Sequence, residues 1–367
     1  MNSNYPSPLM SEDDIRTKVI YPWLLDHGFN DAEILIEHSF EIQLGRQVYK
    51  VGGEELGTLP RRPRTDILVR RSNGDNLFII EVKGKDESLD EKVKDQGVSY
   101  ARLLNKIAPF TILTNGLETK IYDSISGEEV SGTNITTDHP HLKNGYISIG
   151  DDIRLRSEAL ETFISLDSAN LLNFCRSQVD YRMRLLKSDD PFSGYKYIPS
   201  LYIEREKTEE RLEDLINVRQ SKVAIVFGKP QVGKTNFICH TVEKKLQASI
   251  PCLFYPAIGM GDGLLREICE DFGWLMQESD SPKQIIVRLS RILQQVQQKM
   301  IVFIDGWNET SQELAESINR DGDRLVDFGI QIVISLTHLS AQRLLLDRAG
   351  NITSLARNAS LDHDAVQ

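Results

Sequence analysis

The chain has 367 residues, 40% hydrophobic and 26% charged, the make-up of a soluble globular protein long enough for two cores. A net charge of −11 argues against a protein that coats nucleic acid nonspecifically, although the field at a single cleft decides whether DNA binds there. No apolar run approaches the roughly 20 residues of a bilayer crossing, no signal-peptide layout opens the chain, and the four cysteines form no C-x-x-C pair; the expectation is a cytoplasmic protein with no membrane partner, disulfide framework or zinc site.

Residues 1–10 read as a leader. Ser11-Glu12-Asp13-Asp14 is an N-cap followed by acids, and Ile15, Val19, Ile20, Trp23 and Leu24 continue a helical stripe. Pro22 predicts a kink, and His27-Gly28 a stop. Alternation from Glu33 to Val51 predicts one or two strands, with a loop over 52–63. Asp66-Ile-Leu-Val then leads through Ser72-Asn73-Gly74-Asp75 to Leu77-Phe-Ile-Ile-Glu81-Val-Lys83, a β-hairpin with Asn-Gly in its loop. Side chains alternate along a strand, so Glu81 and Lys83 share a face and the hairpin returns Asp66 toward it. Two carboxylates beside a lysine can hold a divalent cation and orient a water, the apparatus of phosphodiester hydrolysis. Arg61, Arg62, Arg64, Arg70 and Arg71 form a local basic cluster, equally suited to phosphate contacts or to a charged strand edge.

A charged connector is expected over 85–94. The helix after it carries Gln96 and Tyr100 one turn apart, and strands follow at 110–114 and 120–123. Asp66, Glu81-x-Lys83 and Gln96-x-x-x-Tyr100, in that order, resemble the PD-(D/E)XK nuclease superfamily, most closely the N-terminal nuclease domain of type I restriction enzyme R subunits. The resemblance implies a mixed sheet with flanking helices over 1–150, Mg2+ at Asp66 and Glu81, a further acid from the first helix (Glu12 is the best match, with Asp13 and Asp14 as competitors), and DNA as substrate. Residues 124–150 read as a turn-rich loop. Helical patterns from Ile153 to Leu186 suggest a bridge, so 151–196 is assigned as linker, with Ser188–Gly194 its turn-rich end.

In the remaining segment, 197–367, the apolar run Lys222–Phe227 precedes Gly228-Lys229-Pro230-Gln231-Val232-Gly233-Lys234-Thr235 and a helical stretch. Strand, G-x-x-x-x-G-K-T and helix in this order are a phosphate-binding loop: backbone N–H groups surround phosphate oxygens, Lys234 reaches the β- and γ-phosphates, and Thr235 offers its hydroxyl to Mg2+. A second run, Met300–Ile304, ends in Asp305-Gly-Trp-Asn-Glu309, an acid placed to hold Mg2+ and a second to polarise water. The hhhhDGxxE form, and the lead-in Tyr197-Ile-Pro-Ser-Leu-Tyr-Ile-Glu-Arg205-Glu, resemble the NACHT branch of STAND regulatory ATPases. The fold expected is a P-loop parallel sheet. Relatives often carry an arginine where Leu336-Thr337-His338 stand, which leaves a sensor role for Thr337 or His338 open. Relatives also continue into a helical lid, a winged helix and a repeat sensor that this sequence does not show, so either a shortened STAND member or one completed by a partner chain is expected.

The leading functional expectation is a metal-dependent DNA endonuclease coupled to an ATP- or GTP-binding switch, of the kind used in restriction or antiviral defence, acting as a homo-oligomer or with a partner chain. A nucleotide-binding regulator with an inactive nuclease fold is one alternative. A restriction subunit acting with partner chains is another, although the D-E-x-H box of its helicase motor is not found.

Overall fold

The computed structural model describes residues 11–38, 40–44, 47–51, 65–130, 149–218, 222–261, 263–274 and 282–340, with 346, 351 and 353. The expected leader, the 52–63 loop with Arg61, Arg62 and Arg64, most of the 124–150 loop and the C-terminal end lie outside the described residues. The chain forms two compact units, one containing residues 48–166 with the N-terminal 43 residues, the other containing 167–367 with residues 44–47.

The first unit opens on α1 (Glu12–Ile15), where the Ser11 hydroxyl accepts from the Asp14 N–H and Asp14 reaches back to Ser11, a reciprocal cap. A π-helical turn, Arg16–Ile20, separates it from α2 (Tyr21–Asp26), so the wider turn comes just before Pro22, which sits in the first turn of α2. The helix ends where predicted, with Gly28 at φ +92°. The strands are β1 (Ile34–His38), β2 (Phe40–Leu44), β3 (Gln47–Val51), β4 (Thr65–Arg70), β5 (Asn76–Val82), β6 (Phe110–Thr114) and β7 (Thr119–Asp123). Five of them form one sheet in the order β1-β4-β5-β6-β7, antiparallel except for the parallel β5–β6 pair; β2 and β3 pair separately. The mixed sheet expected from the sequence is therefore present.

The β4–β5 turn closes through Gly74 N–H to the Arg71 carbonyl at 2.8 Å, with the Asn73 side chain accepting from the Asp75 N–H. One face of the sheet packs Ile67, Val69, Phe78, Ile80, Val82, Phe110 and Ile112 against Ile15 and Leu24 of the first helical segment. The other face receives α3 (Glu91–Leu103). This helix begins inside the stretch expected to be a connector, because the Asp90 side chain accepts from the Val93 N–H and caps it. It lies close at Gly97: a Cβ there would stand 2.7 Å from Thr111 Cγ2 and 3.4 Å from Glu81 Cγ. A helix, α4 (Ile149–Leu166), completes the unit; Arg156 donates to the carbonyls of Leu104 and Asn105, and Phe163 meets Tyr100.

The second unit begins with α5 (Ser168–Met183), capped by Asp167. The helical stretch expected as a bridge is thus two helices that fall one to each unit. The reason is visible in α5: its apolar side, with Leu171, Phe174, Cys175 and Val179, is buried, and Arg182 makes ion pairs of 2.8 Å with both Glu267 and Asp271. Gln178 both donates to the Phe254 carbonyl and accepts from the Phe254 N–H, each at 3.0 Å. The stretch expected as a linker is likewise tied in, since Lys187 pairs with Glu243 at 2.6 Å and the Ser188 N–H donates to the Tyr197 carbonyl at 3.0 Å.

After α6 (Glu206–Glu213), strands and helices alternate: β8 (Val223–Gly228), α7 (Lys234–Gln247), β9 (Cys252–Pro256), α8 (Leu264–Asp271), α9 (Pro282–Gln295), β10 (Ile301–Asp305), α10 (Gln312–Asp327) and β11 (Gln331–Thr337). The sheet is wholly parallel, in the order β8-β11-β10-β9. The chain leaves β8 for the far edge and returns through β10 and β11, so the direction of travel reverses. Open parallel sheets bind ligands at the carboxyl ends of strands around such a reversal. Among the described residues no helix is long and apolar enough to cross a membrane.

Candidate functional site

Each unit gathers one cluster of chemistry-bearing side chains. In the first, the pairing of Ile67 with Ile80 sets Asp66 opposite Glu81 across the hairpin. Asp66 Oδ2 accepts from the Val82 N–H at 2.7 Å, and Arg16 Nη1 lies 3.5 Å from Oδ1. Arg16 also pairs with Asp13 at 2.6 Å and Glu37 at 3.1 Å, so this cation is shared among three acids. Glu81 is only 1% exposed, and its Oε1 has no hydrogen-bond partner. A buried carboxylate oxygen left this way is costly unless a proton or a cation meets it. Burial raises the Glu81 carboxyl well above its usual range, and the adjacent Asp66 charge raises it further, against the pull of Lys83. Burial likewise raises Asp66, opposed by the Val82 N–H, Lys83 and Arg16. Lys83 follows β5 directly, its backbone N–H donating to the Thr114 carbonyl at 2.8 Å.

Glu12, on the opening turn of α1, feels the same group. Partial shielding from solvent raises its carboxyl, Lys83 opposes the rise, and Asp66 adds to it. Among the described residues, however, no three His, Cys, Asp or Glu side chains are grouped closely enough to hold a metal on their own. The acidic donors on offer are the Asp66–Glu81 pair. Gln96 and Tyr100 do meet, Nε2 to hydroxyl at 3.4 Å, but Tyr100 is 3% exposed and tilts against Phe163 at 5.7 Å, so it stands in the packed layer between α3 and α4.

These shifts set a pH dependence. A carboxyl whose folded value lies above its unfolded value binds its proton more tightly in the folded chain, so stability is lost as pH rises from about 4.5 through the folded value. A divalent cation requires both carboxyls deprotonated and offsets that loss. The rise in melting temperature caused by 5 mM Mg2+ or Mn2+ (about that concentration, well above a weak site's Kd) is expected to be larger at pH 8 than at pH 5. Equal shifts at both pH values would show that the pair does not bind the cation.

In the second unit, Gly228–Gly233 forms the loop between β8 and α7. Gln231 (φ +61°) and Gly233 (φ +82°) both take left-handed backbone, uncommon for a glutamine, which curls the segment Lys229-Pro230-Gln231-Val232 ahead of the helix N-terminus. Lys234 Nζ donates to the carbonyls of Gly228 at 3.2 Å and Lys229 at 2.9 Å, and Thr235 follows it in the first turn of α7. Partial burial lowers the Lys234 ammonium, against the opposing pull of Asp305 and Glu309. Both acids of the second motif thus act on the charge of the loop lysine: Asp305 ends β10, and Glu309 closes the short 3-10 turn Trp307–Glu309 beside Gly306.

Two participants were not singled out by sequence reasoning. Arg205, on the lead-in segment, donates to the Val232 carbonyl at 2.9 Å, and a Cβ on Gly233 would stand 2.5 Å from its guanidinium. Ser335, inside β11, binds Asp305. A hydroxyl in the run Ile-Val-Ile-Ser-Leu was the available signal, since a buried strand position favours an aliphatic side chain. Of the two positions left open, Thr337 N–H donates to Asn308 Oδ1 at 3.1 Å, and His338 is exposed, its ring parallel to Phe227 at 6.1 Å.

Comparison with known proteins places only part of this chain. No curated protein matches it. A fragment structure ascribed to the HsdR subunit of a type I restriction enzyme from Vibrio vulnificus YJ016 aligns at 16% identity over 90% of this chain and 56% of that one, with a TM-score of 0.26, too slight a likeness to carry an argument. The chain thus spans little more than half of that structure's length. Residues 12–135 match the family described as type I restriction enzyme R protein N terminus. The similarity is therefore to the N-terminal part of restriction R proteins, and it covers the stretch that carries Asp66, Glu81 and Lys83.

Proposed function

We propose that the first unit is a Mg2+-dependent DNA endonuclease and that the second is a nucleotide-binding switch governing it, in a restriction or antiviral-defence role. The observation that carries the nuclease reading is the Asp66–Glu81 pair, facing across one hairpin with a buried, unpartnered Glu81 oxygen. A site of two carboxylates suits Mg2+, which keeps several waters and takes its other ligands from substrate phosphates. Asp66 and Glu81 would hold the ion, whose charge would polarise the phosphate and acidify a bound water. The Val82 N–H holds Asp66 in its rotamer, while the Lys83 ammonium acts on both acids and would orient the attacking water.

The loop lysine beside Asp305 and Glu309 supports the second half of the reading. Gly228–Gly233 would cradle the phosphates of ATP or GTP, Lys234 would meet the β- and γ-oxygens, and Thr235 and Asp305 would take the Mg2+. For nucleotide to act as a switch it must bind one arrangement better than another. Joining several clefts in a homo-oligomer would raise avidity for DNA. A second reading, a subunit that works with partner chains, is favoured by the match of residues 12–135 to a restriction R protein.

The test is purified protein with supercoiled plasmid, with and without Mg2+ and ATP. Nicking or linearisation that needs Mg2+ and changes with ATP is expected. Intact plasmid under every condition, with Mg2+ binding demonstrated by the melting shift, would leave the nuclease half without support.

A further inference from the structure

We propose that Ser335 is the positioning residue that fixes Asp305 for nucleotide-bound Mg2+, an inference that rests on the nucleotide-binding reading of the second unit. β10 and β11 run parallel, with Ile304 level with Ile334, which puts Ser335 beside Asp305 where β10 ends. The Ser335 hydroxyl donates to Asp305 Oδ1 at 2.5 Å and accepts from the Gly306 N–H at 2.9 Å. The serine is 0% exposed and the aspartate 7%, so water does not compete for either bond.

The direction of each bond is forced. A backbone N–H can only donate, so the hydroxyl's lone pair faces Gly306 and its single proton has one place to go, Oδ1. The carboxylate is thereby fixed about its last torsion, leaving Oδ2 free to face a cation. Gly306 has φ +72°, a left-handed turn that brings its N–H round to the serine and opens the short helix bearing Glu309. One hydroxyl therefore ties together the acid that ends the strand and the turn that presents the second acid. The same position in a purely structural strand would suit valine or isoleucine, which can neither orient the aspartate nor satisfy the Gly306 N–H.

Side chains that orient a metal-holding group typically contribute about 10–100-fold to metal affinity or activity. The experiment measures binding of fluorescent N-methylanthraniloyl-ATP to the full chain in Mg2+ and in EDTA. For Ser335→Ala, affinity in EDTA should stay within about twofold of wild type while the gain on adding Mg2+ falls about 10-fold or more. Ser335→Cys, similar in size but a weak donor, should behave the same and carries the test if the alanine variant does not fold; Ser335→Thr, which keeps the hydroxyl, should retain the Mg2+ gain. A Mg2+ gain unchanged in a folded Ala or Cys variant overturns the inference, as does a wild-type affinity indifferent to Mg2+. If wild type binds no nucleotide at all, the reading of the second unit fails, and the assignment of Ser335 falls with it.

Discussion

Glu81→Gln is expected to eliminate Mg2+-dependent DNA cleavage and, in the same protein, to raise the melting temperature measured without metal. The two effects have one cause. Glu81 is buried opposite Asp66 with one oxygen unpartnered, so a charge there in the metal-free chain is opposed by burial and by Asp66, and only Lys83 and a backbone hydrogen bond from Asp66 favour it. Glutamine is nearly the same shape, removes that charge and keeps the packing against α3. For a unit of this size each kcal/mol recovered appears as about 2–4 °C. Cleavage should fall by more than about 100-fold, since even residues one bond removed from a metal ligand cost 10- to 100-fold. Asp66→Ala should also abolish cleavage, because it too removes a ligand of the ion. An unaltered nicking rate in purified Glu81→Gln would falsify the catalytic assignment, whereas a lowered melting temperature with lost cleavage would point to a carboxylate needed for packing alone.

The second large effect is expected at Lys234. Its ammonium is held against two carbonyls of the loop in which phosphates would sit. Hydrogen bonds to charged groups contribute about 1.5–3 kcal/mol, so Lys234→Ala should weaken ATP binding by roughly 10- to 150-fold at 1.4 kcal/mol per decade. The readout is the stabilisation of the folded chain by nucleotide, which grows as the logarithm of ligand over Kd. At an ATP concentration that raises the wild-type melting point clearly, the variant should show little rise. An equal rise in both proteins would mean that ATP binds elsewhere.

The elements that follow from local chemistry were legible in the sequence. The Asn73-Gly74 turn, the Ser11 cap, the Gly28 stop and the strand–loop–helix around Lys234 all lie where their residues place them, because each depends on neighbours within a few positions. The hairpin also set Asp66 and Glu81 on one face by alternation alone. What escaped depends on contacts distant in sequence. The helix Ser168–Met183 looks like a free-standing bridge in one dimension, because its ion pairs to Glu267 and Asp271 are made by residues some 90 positions away. Tyr100 shares a helix face with Gln96, yet its contact with Phe163, from a later helix, shows only in three dimensions. Ser335 gives a faint signal in sequence and a strong one in space for the same reason.

The two bonds between Gln178 and Phe254 bear on solubility. β9 is an outer strand of the parallel sheet, and the side chain of Gln178 occupies the N–H and the carbonyl of the same residue, as an added strand would. Bare strand margins invite pairing between molecules, and proteins commonly blunt them with charge, proline or a covering helix. Here a single amide imitates a neighbouring backbone and is locked by Asp271 at 3.0 Å. Shortening that side chain would strip the margin at its centre and open it to pairing between molecules.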